Sequence, residues 1–274
     1  MLVDLNTIGI KVKIKNNIIQ CYTRDSSFLS DEERSAMKRL REMNPDWNYF
    51  FYDISTMRDF VKENYPKRYL NAFDQINPDY GAAVSDYFRY LVIYKLGGVY
   101  LDNKAFTTMP LSEIVKPEDE MVVFSWRGNP RSLYLTYGIH KEIRRGDEFQ
   151  QWNIISVEGS RYIAAVIEAV TLNIENYSVF KHGTGYGGIL RTTGPIAYTN
   201  AIDDIYDGSG IRFAGNNEAN GIMYRDDISF PTRNLSFHYS HNNSPVIMMN
   251  PLLHHTYTYA FSLLRACKRK LKGH

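Results

Sequence analysis

The chain has 274 residues, 44% of them hydrophobic and 23% charged, and its 32 lysines and arginines against 30 aspartates and glutamates leave a net charge of +2. This length is ample for a buried core in one large α/β domain or two small ones. So small a charge argues against nucleic-acid binding by the whole domain, and two cysteines, Cys21 and Cys267, give no disulfide framework.

In chain order, Met1 to Asn17 lacks the long apolar run of a signal peptide or membrane anchor, so the expected place of work is the cytoplasm. Asp31 to Met43 reads as a helix, Trp47 to Tyr52 as a short apolar strand and Ser55 to Asn64 as a second helix. Asn77 as N-cap and Pro78 at the first helical position start a third helix, whose stripe runs through Val84, Tyr87, Phe88, Leu91, Val92 and Lys95. Asp86 and Arg89, three apart, share another part of that helix. Gly97 suits the positive-φ residue that stops it, and Val99-Tyr100-Leu101 is then a buried strand carrying Asp102 to its carboxyl end. Open α/β sheets bind their ligands at that edge.

Beyond it, Met121 to Phe124 reads as a strand and Val157 to Asn173 as a helix. The alternation of helices and strands predicts an α/β fold with a Rossmann-like, largely parallel sheet. No Pro- or Ser-rich linker and no repeat divides the chain, so residues 1–274 are expected to form one domain, with 246–274 as a helical, basic tail. Gly183 to Gly188 is glycine-rich but lacks the Gly-Lys-Ser/Thr of a phosphate loop, and it reads as a flexible loop. In the tail, Arg265, Lys268, Arg269, Lys270 and Lys272 follow Tyr257, Tyr259, Phe261, Leu263 and Leu264. Two readings fit: an aromatic-basic helix lying on an anionic membrane, or a helix packed by its apolar residues with a frayed basic end.

An Asp and an Arg three apart on a helix are, taken alone, more often a surface ion pair than a binding pair. Here they belong to a longer block, Ser85-Asp86-Tyr87-Phe88-Arg89 followed by Gly97-Gly98-Val99-Tyr100-Leu101-Asp102-Asn103-Lys104. That block resembles the donor site of retaining glycosyltransferases of the GT-A (nucleotide-diphospho-sugar transferase) fold. The resemblance is to glycosyltransferase family 32, the group of initiating α-1,6-mannosyltransferases and capsular polysaccharide transferases. The family pattern is Ser/Ala-Asp, Arg three residues on, then Gly-Gly-(Ile/Val)-Tyr-x-Asp-x-Asp. Every element is present except the last Asp, which is Lys104. Looser likeness runs from residue 17 to 245. Asn17 to Thr23 resembles the family's opening strand, and Thr193-Gly194-Pro195 and Phe237 to His241 resemble later family segments.

The resemblance implies a donor that is a GDP- or UDP-sugar, an acceptor hydroxyl on a glycan or glycolipid, and transfer of a hexose with retention. It implies that Asp86 and Arg89 bind hydroxyls of the transferred sugar, that Asp102 binds sugar or ribose hydroxyls, and that Gln20, Tyr22 and Thr23 lie near the nucleoside. It also implies a divalent cation, Mn²⁺ or Mg²⁺, which Lys104 puts in doubt because a protonated ammonium cannot ligate a metal. Asp102, His238 and His241 are the remaining candidate ligands, although either histidine is equally well a structural one. Lys104 has two readings, a solvated loop lysine and an ammonium that meets the diphosphate in the cation's place. Asp102, Lys104 and Arg89 are therefore the expected catalytic residues. A catalytically degenerate protein that binds a nucleotide sugar or glycan without turning it over is the alternative.

Overall fold

The computed structural model describes residues 13–130, 132, 134, 136–224 and 244–248. Their elements are β1 (Asn17–Cys21), α1 (Asp31–Met43), β2 (Asn48–Tyr52), α2 (Ile54–Asn64), α3 (Lys67–Gln75), α4 (Gly81–Leu96), β3 (Gly98–Leu101) and β4 (Phe106–Thr107). There follow α5 (Leu111–Ile114), β5 (Met121–Ser125), β6 (Asn153–Ser156), α6 (Arg161–Glu175), α7 (Gly185–Thr192), α8 (Pro195–Ile205), β7 (Ile211–Asn216) and β8 (Ile222–Met223).

Six strands form one sheet in the order β2-β1-β3-β6-β5-β7, with β4 and β8 paired separately. β1 runs parallel to both β2 and β3, and β5 runs parallel to β7. Only β6 is reversed, antiparallel to β3 and β5. The sheet is thus mostly parallel, as the alternation of elements predicts, and both of its faces are covered. Side chains sort by strand alternation: Ile19, Tyr100, Ile154 and Val123 join the core with α2, α3, α4 and α6, whereas Ile18, Val99, Leu101, Ile155 and Val122 join a second core with Leu40, Leu111 and Trp152.

Local chemistry accounts for the ends of the elements. α1 begins with a capping box: Ser30 accepts from the Glu33 N–H at 3.2 Å and Glu33 reaches back to the Ser30 N–H at 3.0 Å. Asp53 caps α2 in the same way with Thr56, and the helix starts at Ile54, one residue ahead of the predicted Ser55. α4 is buried almost all round, from Ala83 to Tyr94, because it packs between the sheet and the other helices.

α4 starts at Gly81, not at Pro78. Asn77 does not cap it; its side chain accepts from the Asp79 N–H at 3.0 Å and donates to the Pro245 carbonyl at 3.1 Å. The competing use is a side-chain turn, the other structure for which Asn is suited. α6 likewise starts at Arg161, because Val157 N–H is spent on the Glu120 carbonyl at 2.8 Å and Gly159 turns with φ 69°.

The glycine-rich run is also corrected: Gly185 to Gly188 form the first turn of α7 rather than a loop. Val246 and Ile247, at the head of the expected helical tail, are buried, with Ile247 bridged to Ile76. Residues 249–274 lie outside the described residues.

Two glycines fix the junction from α4 to β3. Gly97 has φ 63°, and a Cβ there would stand 2.6 Å from the Glu158 nitrogen. Gly98 has φ 116°, and a Cβ would stand 2.4 Å from the Asn17 carbonyl oxygen. No side chain fits either place, so the Gly-Gly pair lets α4 turn straight into the centre of the sheet.

Candidate functional site

Because α4 runs back against β3, its N-terminal half lies at the carboxyl edge of the parallel strands, beside the ends of β1 and β3. Asp86 and Arg89 therefore face the residue that follows β3. Arg89 Nη2 is 3.3 Å from Asp86 Oδ1 and 3.0 Å from Asp102 Oδ1. The guanidinium is further fixed by the Gln151 carbonyl at 2.9 Å and by the Ser85 carbonyl and hydroxyl at 3.2 and 3.1 Å. It lies over the Tyr100 ring, 5.0 Å from the centroid.

The two carboxylates differ in exposure. The Asp86 side chain is 4% exposed and accepts from Gln151 Nε2 at 3.0 Å and Thr193 Oγ1 at 3.1 Å. Burial pushes its carboxyl up to about 6, against the lowering pull of Arg89, Gln151 and Thr193. The Asp102 side chain is 30% exposed and accepts from the Tyr100 hydroxyl at 3.0 Å. Asp102 is thus the carboxylate turned outward, and Asp86 the one that holds Arg89. Burial opposes the Arg89 charge, but Asp102, Tyr100 and Asp86 more than offset it and hold the group above the ordinary arginine value. Nearby Cys21, in contact with the Tyr100 hydroxyl at 3.1 Å, is pushed up to about 12 by burial, so its thiol stays protonated and is no nucleophile.

The turn after β3 is tied down from two sides. Gln20 Nε2 donates to the Asp102 carbonyl at 3.0 Å, and Tyr49 donates to Gln20 Oε1 at 2.9 Å. Gln20 is fully buried, and its side chain supports the turn. Tyr22 and Thr23 are half-buried at the end of β1, and Thr23 packs closely on Gly81 at the first turn of α4. From the other side, Glu33 accepts from Asn103 Nδ2 at 3.1 Å and stands 3.7 Å from Lys104 Nζ. The Lys104 side chain is 42% exposed.

Three residues of this constellation are absent from the sequence reading as site residues. Glu33 signals only a helix cap in the sequence. Thr193 stands in a motif to which no role attaches, and Gln151 carries no signal. Next to Asp102, whose N–H donates to the Trp152 carbonyl at 2.9 Å, the rings of Trp126, Trp152 and Tyr224 form an aromatic wall with centroids 5.0 to 6.0 Å apart.

Of the candidate cation ligands, only Asp102 lies among the described residues. Asp102 Oδ1 is taken by a guanidinium and a hydroxyl, and the ammonium of Lys104 occupies the next acidic place of the motif. Among the described residues no three His, Cys, Asp or Glu side chains are grouped for a metal. His238 and His241 lie outside the described residues. Among the described residues no helix is long and apolar enough to cross a membrane.

Comparison with known proteins bears directly on this edge of the sheet. Residues 30–121 match the family model described as a glycosyltransferase sugar-binding region containing a DXD motif. Inositol phosphoceramide mannosyltransferase 3 of Schizosaccharomyces pombe is 34% identical over 67 residues, which are 24% of this chain and 18% of that protein. Among solved structures, the UDP-bound glycosyltransferase domain of the YGT toxin superposes with a TM-score of 0.50 at 11% identity, covering 80% of this chain and 82% of that one. The PaToxG glycosyltransferase gives 0.49 at 16% identity, covering 71% of each chain. Residues 30–121 thus match a glycosyltransferase sugar-binding region, and the chain has the GT-A fold.

Proposed function

We propose that the protein is a retaining glycosyltransferase that moves a hexose from a GDP- or UDP-sugar to a hydroxyl of a glycan or glycolipid. The observation that carries this reading is the line from Asp86 through Arg89 to Asp102, two carboxylates on one buried guanidinium, ending in a partly exposed carboxylate at the ligand-binding edge of the sheet. The matched sugar-binding region contains all three residues. In a solvated ion pair these groups would have little fixed geometry; here burial and six polar partners hold them in place.

Each residue then has a task. Asp86 and Arg89 bind hydroxyls of the transferred sugar at the lip of the buried pair, the carboxylate accepting and the guanidinium donating in a fixed fork. Asp102 accepts from sugar or ribose hydroxyls. Tyr22 and Thr23 lie toward the nucleoside, and Gln20 acts through the turn it supports. As the anomeric bond breaks, its electron pair goes to the departing diphosphate, and the acceptor oxygen takes its place on the anomeric carbon. The acceptor proton passes to the departing phosphate oxygen. The charge that builds there needs a positive partner, and Lys104 supplies it.

Lys104 also favours a second reading, a nucleotide-sugar or glycan-binding protein without turnover, because it replaces an acidic residue of the motif. Thermal-shift screening with UDP, GDP, CDP and their sugar conjugates, in EDTA and in Mn²⁺, followed by a donor-hydrolysis assay, separates the two. Stabilisation with hydrolysis supports the transferase, and stabilisation without hydrolysis or transfer supports the binding protein. Stabilisation only with Mn²⁺ would restore a cation and count against the Lys104 role. A peripheral membrane contact through the basic tail belongs to the same proposal, with acidic vesicles as its test.

A further inference from the structure

Glu33 is placed to govern Lys104. It is a buried carboxylate at the first turn of α1, 7% exposed, and two hydrogen bonds hold it: one from the Ser30 N–H at 3.0 Å, one from Asn103 Nδ2 at 3.1 Å. Lys104 is held differently. Its ammonium stands 3.7 Å from Glu33 Oε1, beyond hydrogen-bond range yet close enough for charge attraction, on a side chain that is 42% exposed. A fixed anion thus sits beside a cation on a long, flexible stem.

We propose that Glu33 is a resting counter-ion of Lys104 and that the diphosphate of the donor replaces it when the donor binds. The proposal rests on the reading of Lys104 as the cation that meets the diphosphate. Glu33 acts through Lys104 and is a positioning residue. At 3.7 Å the attraction between the two charges is weak on the half-exposed lysine side, and a diphosphate offers more charge than one carboxylate. Glu33 keeps its hold on Asn103 during the exchange, so the turn that carries Asp102 stays in place while the ammonium moves. The carboxylate also competes with the ligand, lowering affinity for a free diphosphate.

Isothermal titration with UDP and with GDP, in EDTA at low ionic strength, tests this on four proteins: wild type, E33Q, K104Q and E33Q/K104Q. E33Q keeps the side-chain shape and removes the charge. It is expected to tighten binding of whichever nucleotide the wild type takes by about threefold or more, the scale of one partly exposed pair. K104Q is expected to weaken it by a similar factor, and E33Q should give no gain on the K104Q background. No gain from E33Q, or an equal gain with and without Lys104, would overturn the proposal. If E33Q does not fold, E33A removes the same charge and carries the same expectation. K104Q binding as tightly as wild type would instead overturn the role of Lys104, and the exchange with it. A wild type that binds neither nucleotide would overturn the donor-site reading as a whole.

Discussion

Arg89 meets Asp102 at 3.0 Å, and this contact joins the buried centre of α4 to the open edge of the sheet. One guanidinium serves a hidden carboxylate on its own helix and an outward one beyond β3. A sugar that engages Asp102 therefore touches a group whose position is set by the protein core.

Arg89→Ala should abolish transfer and also destabilise the fold. It leaves Asp86 buried with only Gln151 and Thr193 as partners, and breaking a buried pair by removing one member costs about 3–5 kcal/mol. Arg89→Lys keeps a charge but loses the fork, so activity should fall at least about a hundredfold. Urea unfolding and donor turnover measured on both variants check this. Wild-type activity in Arg89→Lys would remove Arg89 from the site.

Asp86 sets a pH dependence. Its folded-state value is raised from 3.8 to about 6, so the folded protein holds its proton more tightly than the unfolded chain. The neutral carboxyl favours folding at low pH, and this contribution is lost as pH rises from about 4 through 6. Against Asp86→Asn, which cannot titrate, the wild type should lose stability across that window. On the proposed function the ionised form orients Arg89, so the transfer rate should fall below about pH 6. An unfolding series from pH 4 to 7.5 and a pH–rate profile measure the two effects, whose directions are opposite.

How much of this was readable from the residues varies by element. α1 matches its predicted bounds because Ser30 and Glu33 form a local capping signal. The start of α4 differs because Asn77 is recruited by Pro245, a contact from the other end of the chain. Asp86, Arg89 and Asp102 could be found together because one helix, two glycines and one short strand carry them in a continuous block. Gln151, Thr193 and Glu33 could not, since each arrives from a separate element and only the folded sheet brings them to the same carboxylates and turn. Gln20 shows the converse case: its neighbourhood was legible, but its side chain is spent on the Asp102 carbonyl.

Lys104→Asp restores the acidic place of the motif. If Lys104 meets the diphosphate, activity in EDTA should disappear, and Mn²⁺ should return part of it by giving the new carboxylate a cation to hold. Unchanged activity in EDTA would show that the ammonium does not take part. Glu33 would then face a carboxylate in place of an ammonium, so a loss of stability of about 0.5–1 kcal/mol is also expected and is read in the same samples.

Glycine positions separate backbone strain from side-chain crowding. At Gly98 a methyl group would meet the Asn17 carbonyl oxygen at 2.4 Å with φ at 116°, and neither the strand nor the dihedral can yield cheaply. Gly98→Ala should therefore cost about 3 kcal/mol or more and displace Asp102, lowering activity with stability. At Gly81 the φ is ordinary and the nearest atom, at 2.5 Å, is the Thr23 hydroxyl, which can rotate. Gly81→Ala should cost about 1 kcal/mol or less and act mainly on nucleotide affinity, because Thr23 is the group that moves. Denaturation midpoints and UDP or GDP titrations on the two variants separate these outcomes; an equal stability loss at both positions would show that the α4–β3 junction is not the tighter constraint.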